Sequence, residues 1–266
     1  MKKWTLAKDG NLPEENEDAA QCGSDFVAVA DGATEATYSR IWAQGLVTAM
    51  VEAESAAFWA DPIATFWQRT ALASERWQAQ LPKGEQPWYV QHKNQQGSGA
   101  ALGLLLLDRA QQRWRGIAVG DVIIVQLRQN QRMCTWPLEC STQFNTTPAL
   151  VGTKATPDRE DIPLLDASFQ QGDQFLVMTD ALAAWSLLCE EQGAPRWADL
   201  LAIATPEAWE NLVQSAREQG MRNDDVTLMQ VETADATETI SLGGSVQSGC
   251  SEPTSDAERS LEISNA

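Results

Sequence analysis

Acidic side chains recur beside short apolar segments of this chain, at positions where strands are predicted to begin or end. They are Asp31, Asp121, Asp180 and Asp224, and two further acidic residues, Glu17 and Asp18, lie upstream of the first of these strands. Hard divalent cations bind clusters of oxygen ligands from distant parts of a chain, and rigid strand ends can position such ligands. Gly32, directly after Asp31, would also let a backbone carbonyl approach a metal ion closely. The pattern is therefore typical of carboxylate-based metal chemistry.

Aspartate is also a common turn residue, so each of these positions, taken alone, is compatible with a structural role. Other chemistries have less support in the composition. The chain contains a single histidine, His92, which excludes any site with two histidine ligands and leaves one residue for a Ser–His–Asp or Cys–His pair. The five cysteines are widely spread and form no CxxC pair, which argues against a zinc knuckle or a redox dithiol.

The charge and apolar content limit the classes of partner. The 266 residues include 37 acidic and 19 basic side chains, and 43% of them are apolar. This content is ample for a folded core in one large domain or two small ones. A net charge of −18 argues against nucleic acid as the main partner, because phosphate backbones need a basic face. No segment has the roughly 18 apolar residues of a membrane span, and no signal peptide is recognisable, so we expect a cytoplasmic protein without a membrane partner.

The predicted elements alternate between long helices and closely spaced strands. Apolar residues at helical spacing predict a helix over residues 35–57, and Asp61-Pro62 predicts the start of a second. A third helix is predicted from the Thr205 cap to Gly220. Apolar runs predict strands at residues 26–30, 100–107, 114–119, 122–127, 132–136, 174–179 and 226–231. Strands in such close succession favour antiparallel hairpins over βαβ units.

The composition changes near residue 232. Beyond that point Ser, Thr, Gly and acidic residues dominate, aromatic residues are missing, and Arg259 is the single basic residue. Such a segment buries too little apolar area to offset the entropy of ordering it. We therefore predict a domain over residues 1–231 and a flexible acidic tail over residues 232–266.

Six short motifs, in this order, give the chain a family resemblance. They are Asn16-Glu17-Asp18, Val29-Ala30-Asp31-Gly32-Ala33-Thr34-Glu35, Gly97-Ser98-Gly99-Ala100-Ala101, Ala118-Val119-Gly120-Asp121, Val177-Met178-Thr179-Asp180 and Asn223-Asp224-Asp225-Val226-Thr227. Together they resemble the metal-dependent protein serine/threonine phosphatases of the 2C type, in their compact bacterial form. The resemblance extends from about residue 1 to residue 231.

The resemblance implies an α+β fold, a four-layer αββα sandwich of two antiparallel sheets flanked by helices. It also implies a site for two Mn²⁺ or Mg²⁺ ions in a cleft at one end of the sheets. Asp31 would bridge both ions, and the Gly32 carbonyl would bind one of them. Asp180 and Asp224 would hold the second ion, while Glu17 and Asp18 would contribute directly or through water. Asp121 matches the position associated with a third, weaker ion.

The activity implied by the resemblance is hydrolysis of phosphoserine or phosphothreonine on proteins. A hydroxide activated between two cations would attack the phosphoryl group, with no covalent enzyme intermediate. Implied partners are a phosphorylated protein and an opposing serine/threonine kinase. Two alternatives stay open, namely a weakly active or inactive phosphatase-like binding module and a hydrolase of small phosphate esters.

One departure from the family pattern concerns the substrate phosphate. Members of the family often carry an arginine four residues before the glutamate of the first motif, where it binds the phosphate. Here that position is Pro13, followed by Glu14 and Glu15. Lys8 and Arg40 are the candidates for supplying the missing positive charge.

Overall fold

The strands of this chain form two antiparallel sheets. The computed structural model describes residues 1–34, 36, 38–82, 84, 87–88, 96–154 and 162–233. His92, Glu35 and nearly all of the predicted tail lie outside the described residues. The strands are β1 (Lys2–Leu6), β2 (Ala19–Cys22), β3 (Phe26–Gly32), β4 (Gly99–Asp108), β5 (Arg113–Val119), β6 (Ile123–Arg128), β7 (Gln131–Trp136), β8 (Val151–Gly152), β9 (Leu164–Ser168), β10 (Gln174–Met178) and β11 (Val226–Glu232).

One sheet has the strand order β1-β11-β10-β6-β7, and the other has the order β2-β3-β4-β5-β9 with β8 paired to β4. The described helices are α1 (Ser39–Val51), α2 (Ser55–Ala60), α3 (Pro62–Gln80), α4 (Asp180–Glu191), α5 (Trp197–Ala202) and α6 (Pro206–Glu218). Short 3₁₀ turns occupy Pro13–Glu15 and Ser141–Gln143. None of the described helices combines the length and apolar content that crossing a membrane requires.

Alternation along the strands divides the apolar residues into three buried clusters. In β3, Val27 and Val29 belong to the cluster between the sheets, together with Phe175 of β10. The intervening Ala28 packs instead with Trp42 and other residues of α1 and α3. A third cluster joins β6, β10 and β11 to α4, α5 and α6. Successive side chains on a strand point to opposite faces, so each sheet is covered on both sides. The four-layer αββα sandwich predicted from the sequence is confirmed.

The predicted helix over residues 35–57 differs from the observed one. Tyr38 has a φ of 59°, a left-handed conformation that cannot continue a right-handed helix, so α1 begins at Ser39. The helix ends at Val51, and Glu54 is extended before α2 begins. The break separates two helices where apolar spacing alone predicted one.

Several elements were not predicted from the sequence. Strands β1, β2, β8 and β9 are short or polar, and β1 pairs with β11 in a register that joins Lys2 to Gln230. Helix α4 follows β10 after a single residue, Thr179. At the other end, β11 continues to Glu232, which pairs with Gln174, so the last strand extends one residue beyond the predicted domain boundary.

An arginine clamp attaches α2 to the edge of the second sheet. Arg115 donates from Nε and Nη2 to the two carboxylate oxygens of Asp166, at 2.7 and 2.9 Å. Its Nη1 donates to the carbonyls of Phe58 and Trp59 at 2.8 and 3.2 Å. The guanidinium also lies 4.6 Å from the ring centroid of Trp59. Bidentate, charge-assisted bonds of this kind are stronger than neutral ones.

We expect Asp166→Ala to lower the free energy of unfolding by about 1–3 kcal/mol, because Arg115 loses its charged partner in a half-buried setting. Urea unfolding at neutral pH checks this value. The hydrogen bond from Arg115 lowers the pKa of Asp166. The ion-pair contribution is therefore present at neutral pH and is lost as the pH falls below the usual aspartate range. A loss equal to that of Arg76→Ala, which breaks an exposed pair with Glu52, would contradict the expectation.

Candidate metal centre

Strand register places acidic residues from both sheets at strand ends. In one sheet, Met178 pairs with Ile123 of β6 and Leu228 of β11. Asp180, Asp121 and Asp224 therefore lie just outside neighbouring strand ends. In the other sheet, Asp31 pairs with Ala101 near the start of β4, and Asp18 directly precedes β2. Antiparallel pairing thus gathers residues that are up to about two hundred positions apart in sequence.

Burial and mutual repulsion raise the pKa of several of these carboxyls. The pKa of Asp31 is well above its usual value because of burial and then the charges of Asp18 and Asp180. Burial is also the main cause of the raised pKa of Asp18, and it raises the pKa of Asp180. For Asp121, burial and the charge of Asp180 raise the pKa to about 6. Carboxylates shifted in this way are the ones that a bound cation would stabilise.

Three of the carboxylates have a buried oxygen without a hydrogen-bond partner. These oxygens are Oδ1 of Asp18, Oδ2 of Asp121 and Oδ1 of Asp180. An unpaired buried carboxylate oxygen is costly in a folded protein. The oxygen-only donor set and its negative charge fit a hard divalent cation such as Mn²⁺ or Mg²⁺.

Among the described residues, Arg222 is the basic side chain that contacts this group, and no sequence motif singled it out. Its Nη2 donates to Oδ2 of Asp180 and lies 2.9 Å from Oδ2 of Asp224. The guanidinium is about half exposed, with 52% of the side chain accessible. Its position two residues before Asp224 was the one sequence signal, and that signal does not indicate where a flexible side chain points.

Within the described ranges, no three acidic, histidine or cysteine side chains converge closely enough to form a ready coordination shell. The pairing of Arg222 with Asp180 and Asp224 accounts for part of this, since it orients both carboxylates toward a guanidinium. The five aspartates therefore share electrostatic interactions without meeting at one point.

A threonine-rich network fixes the orientation of Asp18. Oγ1 of Thr179 donates to Oδ2 of Asp18 at 3.0 Å and accepts from the backbone N–H of Thr227 at 3.0 Å. The backbone N–H of Asp18 donates to Oδ1 of Asn16 at 2.9 Å. One oxygen of Asp18 is thus held by Thr179 at the end of β10, while Oδ1 stays without a hydrogen-bond partner.

Asp225 ties the N-terminal segment to β11, a role that sequence reasoning missed. Its Oδ1 accepts from the backbone N–H of Lys8 at 2.9 Å, and its Oδ2 accepts from the backbone N–H of Glu17 at 2.7 Å. Asp225 is buried. The contact holds the first acidic motif beside the last one, and the adjacency of Asp225 to Asp224 was the only sequence signal for it.

Glu17 lies apart from the aspartate group in its contacts. Its Oε1 accepts a hydrogen bond from the hydroxyl of Ser39 at the start of α1. Gly32 lies close to both of these residues. A Cβ at this position would be 2.8 Å from the carbonyl oxygen of Glu17 and 3.2 Å from Cβ of Ser39. A glycine at this position lets the backbone after Asp31 pass close to both.

Gly120 makes a second close approach, immediately before Asp121. Its φ is +97°, and a Cβ would lie 2.6 Å from both Cβ of Ala101 and the carbonyl oxygen of Ala149. Only glycine adopts this conformation in that space without strain. This tight turn after β5 determines the position of Asp121.

The two candidates for the missing phosphate-binding charge have different surroundings. Lys8 contributes its backbone N–H to Asp225. Arg40 lies in the first turn of α1 and donates from Nη1 to the carbonyl of Glu14. Arg40 therefore reaches the same short segment that carries Pro13.

Comparisons with known proteins agree with this architecture. The catalytic domain of the phosphatase PstP, solved with two manganese ions, is 16% identical, with 88% of this chain and 98% of that one covered and a TM-score of 0.60. The serine/threonine phosphatase PstP/Ppp of Mycobacterium tuberculosis is also 16% identical, with 88% of this chain and 99% of that one covered and a TM-score of 0.61. PppA, a key regulatory component of T6SS in Pseudomonas aeruginosa, is 18% identical, with 87% of this chain and 96% of that one covered and a TM-score of 0.57. At these identities the likeness is one of fold.

Among the sequence comparisons, the match to a family model identifies the family. A search of curated proteins found no match. Residues 14–232, which include all six motifs and every acidic residue described above, match the model of protein phosphatase 2C. On that match the chain belongs to the protein phosphatase 2C family.

Proposed function

We propose that this protein is a Mn²⁺- or Mg²⁺-dependent phosphatase that hydrolyses phosphoserine and phosphothreonine on proteins. Family membership supports phosphatase chemistry. In the reaction the P–O bond to the serine or threonine oxygen breaks, water supplies the oxygen that joins phosphorus, and the alcohol leaves with a proton. The physiological substrate would be a phosphoprotein, with a serine/threonine kinase as the opposing enzyme.

The observation that carries the proposal is a set of buried carboxylates with too little positive charge around them. The pKa values of Asp18, Asp31, Asp121 and Asp180 are all raised, mainly by burial. The half-exposed Arg222 is the cation paired with this group among the described residues. A fold that keeps such charges together at a cost in stability is expected to regain that cost when divalent cations bind.

We assign the metal ligands by combining this placement with the family motifs. Asp31 and the Gly32 carbonyl would bind the first ion, with Asp31 also reaching the second. Asp180 and Asp224 would complete the second, and Asp121 would hold a third. Asp18 and Glu17 would contribute directly or through water. When bound, the cations would supply Lewis acidity to the phosphoryl oxygens and lower the pKa of the attacking water.

The remaining residues act by positioning. Thr179 fixes one oxygen of Asp18 and leaves the other for a cation. Asp225 holds the backbone of Glu17 in place, and Ser39 orients its carboxylate. Arg222 neutralises Asp180 and Asp224, and it would have to move aside when these residues bind an ion.

The activity test uses an aryl phosphate and a phosphothreonine peptide, assayed with Mn²⁺, with Mg²⁺ and with excess chelator. We expect turnover of both substrates with either metal and loss of turnover in chelator. Full activity in chelator would refute metal dependence. Metal binding without turnover of any substrate would favour the inactive binding module, and turnover of small esters alone would favour the small-molecule hydrolase.

Metal binding should also stabilise the fold, independently of any substrate. At a Mn²⁺ concentration about 100 times the dissociation constant, mass action adds about 2.7 kcal/mol to the free energy of unfolding. For a domain of this size, that corresponds to a rise of roughly 5–10 °C in melting temperature. Differential scanning fluorimetry measures this rise by comparing the protein in Mn²⁺ with the protein in buffer that contains excess chelator. An unchanged melting temperature at millimolar Mn²⁺ would contradict the assigned site.

A further inference from the structure

A cavity of about 320 Å³ lies between the edge strands β1 and β2, beside the first turns of α1. Its walls come from both sheets, from α1 and from the 3₁₀ turn. The lining residues that matter here are Lys3, Pro13, Asn16, Asp18, Arg40 and Gln44. Its volume falls within the range of small-ligand pockets.

Two positively charged residues line this cavity in a strongly acidic protein. Nζ of Lys3 donates to the carbonyl of Ala20 at 3.5 Å, and Arg40 donates to the carbonyl of Glu14. In the described part of the chain neither has a carboxylate partner, whereas nine other arginines are ion-paired. Both side chains therefore keep charge and donors that an anion could use.

The cavity adjoins the candidate metal centre through Asp18. The unpaired Oδ1 of this residue belongs to a side chain that lines the cavity. On the neighbouring side, Ser39 precedes Arg40 in the chain and donates to Glu17. A phosphoryl group bound to an ion at Asp18 would thus have Arg40 beside it.

Pro13 lines the same cavity and offers no donor. We propose that Arg40, assisted by Lys3, binds the phosphoryl group of the substrate in this cavity, in place of a donor at position 13. The inference rests on the proposed function and names the residue that positions its substrate.

The chemistry of the two side chains suits this role. A guanidinium has five N–H donors in a fixed fork that matches the oxygens of a phosphate. Among the described residues, the Glu14 carbonyl is the acceptor that Arg40 meets, so most of its donors stay available. Lys3, which also lines the cavity, would add a second positive charge. A carboxylate at Asp18 repels an anion by itself, so phosphate should bind only when a divalent cation is also present.

The test compares Arg40→Ala with the matched control Arg76→Ala, which removes a helical arginine from the exposed pair with Glu52. For Arg40→Ala we expect kcat/KM on an aryl phosphate to fall about 10- to 100-fold, because a charged hydrogen bond is lost. The inhibition constant of inorganic phosphate should rise by a similar factor, and calorimetry of phosphate binding to the Mg²⁺-loaded protein should show the same weakening. Arg40→Lys should lose less, since it keeps the charge without the fork.

A rescue variant tests the shared location. Pro13→Arg in the Arg40→Ala background should restore part of the phosphate affinity, because position 13 opens on the same cavity. Arg40→Ala kinetics equal to those of Arg76→Ala, or a loss confined to acidic phosphopeptides with aryl phosphate unaffected, would overturn the inference. Absence of metal-dependent turnover in the unmodified protein would instead refute the proposed function, so the two failures are distinguishable.

Discussion

Asp31→Asn is expected to abolish metal-dependent phosphate hydrolysis, lowering kcat/KM by at least about 1,000-fold. The substitution keeps the size of the side chain and removes the charge that would bridge two ions. Asp31 also lies at the end of a buried strand that is paired with β2 and β4. The strand should therefore stay in place while the ligand is lost. Steady-state kinetics with saturating Mn²⁺ measure the effect.

The same variant should be more stable than the unmodified protein when both are kept in chelator. The pKa of Asp31 is raised by burial and by neighbouring carboxylates. A carboxyl whose pKa is higher in the folded than in the unfolded state destabilises the fold at pH values above its unfolded-state pKa, so replacing it by a neutral amide removes this cost. A melting temperature several degrees higher in chelator, with the order reversed in Mn²⁺, is the expected result.

Asp61→Asn is the matched control for Asp31→Asn. Asp61 caps α3 by accepting from the backbone N–H of Ala64, and asparagine is an equally good cap. We expect its activity and stability to match those of the unmodified protein. Near-normal turnover in Asp31→Asn, or equal losses in the two variants, would contradict the role assigned to Asp31.

Arg222→Gln is expected to tighten Mn²⁺ binding by on the order of tenfold and to lower stability in chelator. Arg222 pairs with Asp180 and Asp224, so it competes with a divalent cation for the same two carboxylates. Its half exposure limits the effect, because solvent screens the charge. Removing the guanidinium leaves the buried Asp180 without a charged partner, which accounts for the loss of stability in chelator.

Calorimetric titration with Mn²⁺ and unfolding in chelator measure the two effects of Arg222→Gln separately. Arg196→Gln is the control, since Arg196 pairs with Asp199 on the surface away from the aspartate group. Unchanged or weaker Mn²⁺ binding in Arg222→Gln would show that the guanidinium does not compete with the ion.

The sequence predicted those features that depend on local pattern. The apolar run before Asp31 predicts a buried strand that ends in a carboxylate, and the same reasoning predicts Asp121 and Asp180 just after β5 and β10. The Thr205 cap and Pro206 predict the start of α6, which the structure confirms. These features follow from side-chain periodicity and turn chemistry within a few residues.

Features that depend on long-range contacts could not be predicted. The pairing of β1 with β11 joins segments more than two hundred residues apart, and nothing in Lys2–Leu6 alone specifies that partner. The contact of Arg222 with Asp180 depends on how β10 and β11 pair. The hydrogen bond from the backbone N–H of Glu17 to Asp225 likewise depends on where the N-terminal segment lies relative to β11. The left-handed Tyr38 is another such case, since a tyrosine gives no local signal for a positive φ.

We expect the aspartates at these strand ends to bind divalent cations. Isothermal titration of the chelator-treated protein with Mn²⁺ tests it most directly, with Asp31→Asn and Asp61→Asn titrated in parallel. About two strongly bound ions per chain are expected in the unmodified protein and in Asp61→Asn, with loss of that binding in Asp31→Asn. Absence of binding at millimolar Mn²⁺, or undiminished binding in Asp31→Asn, would contradict it.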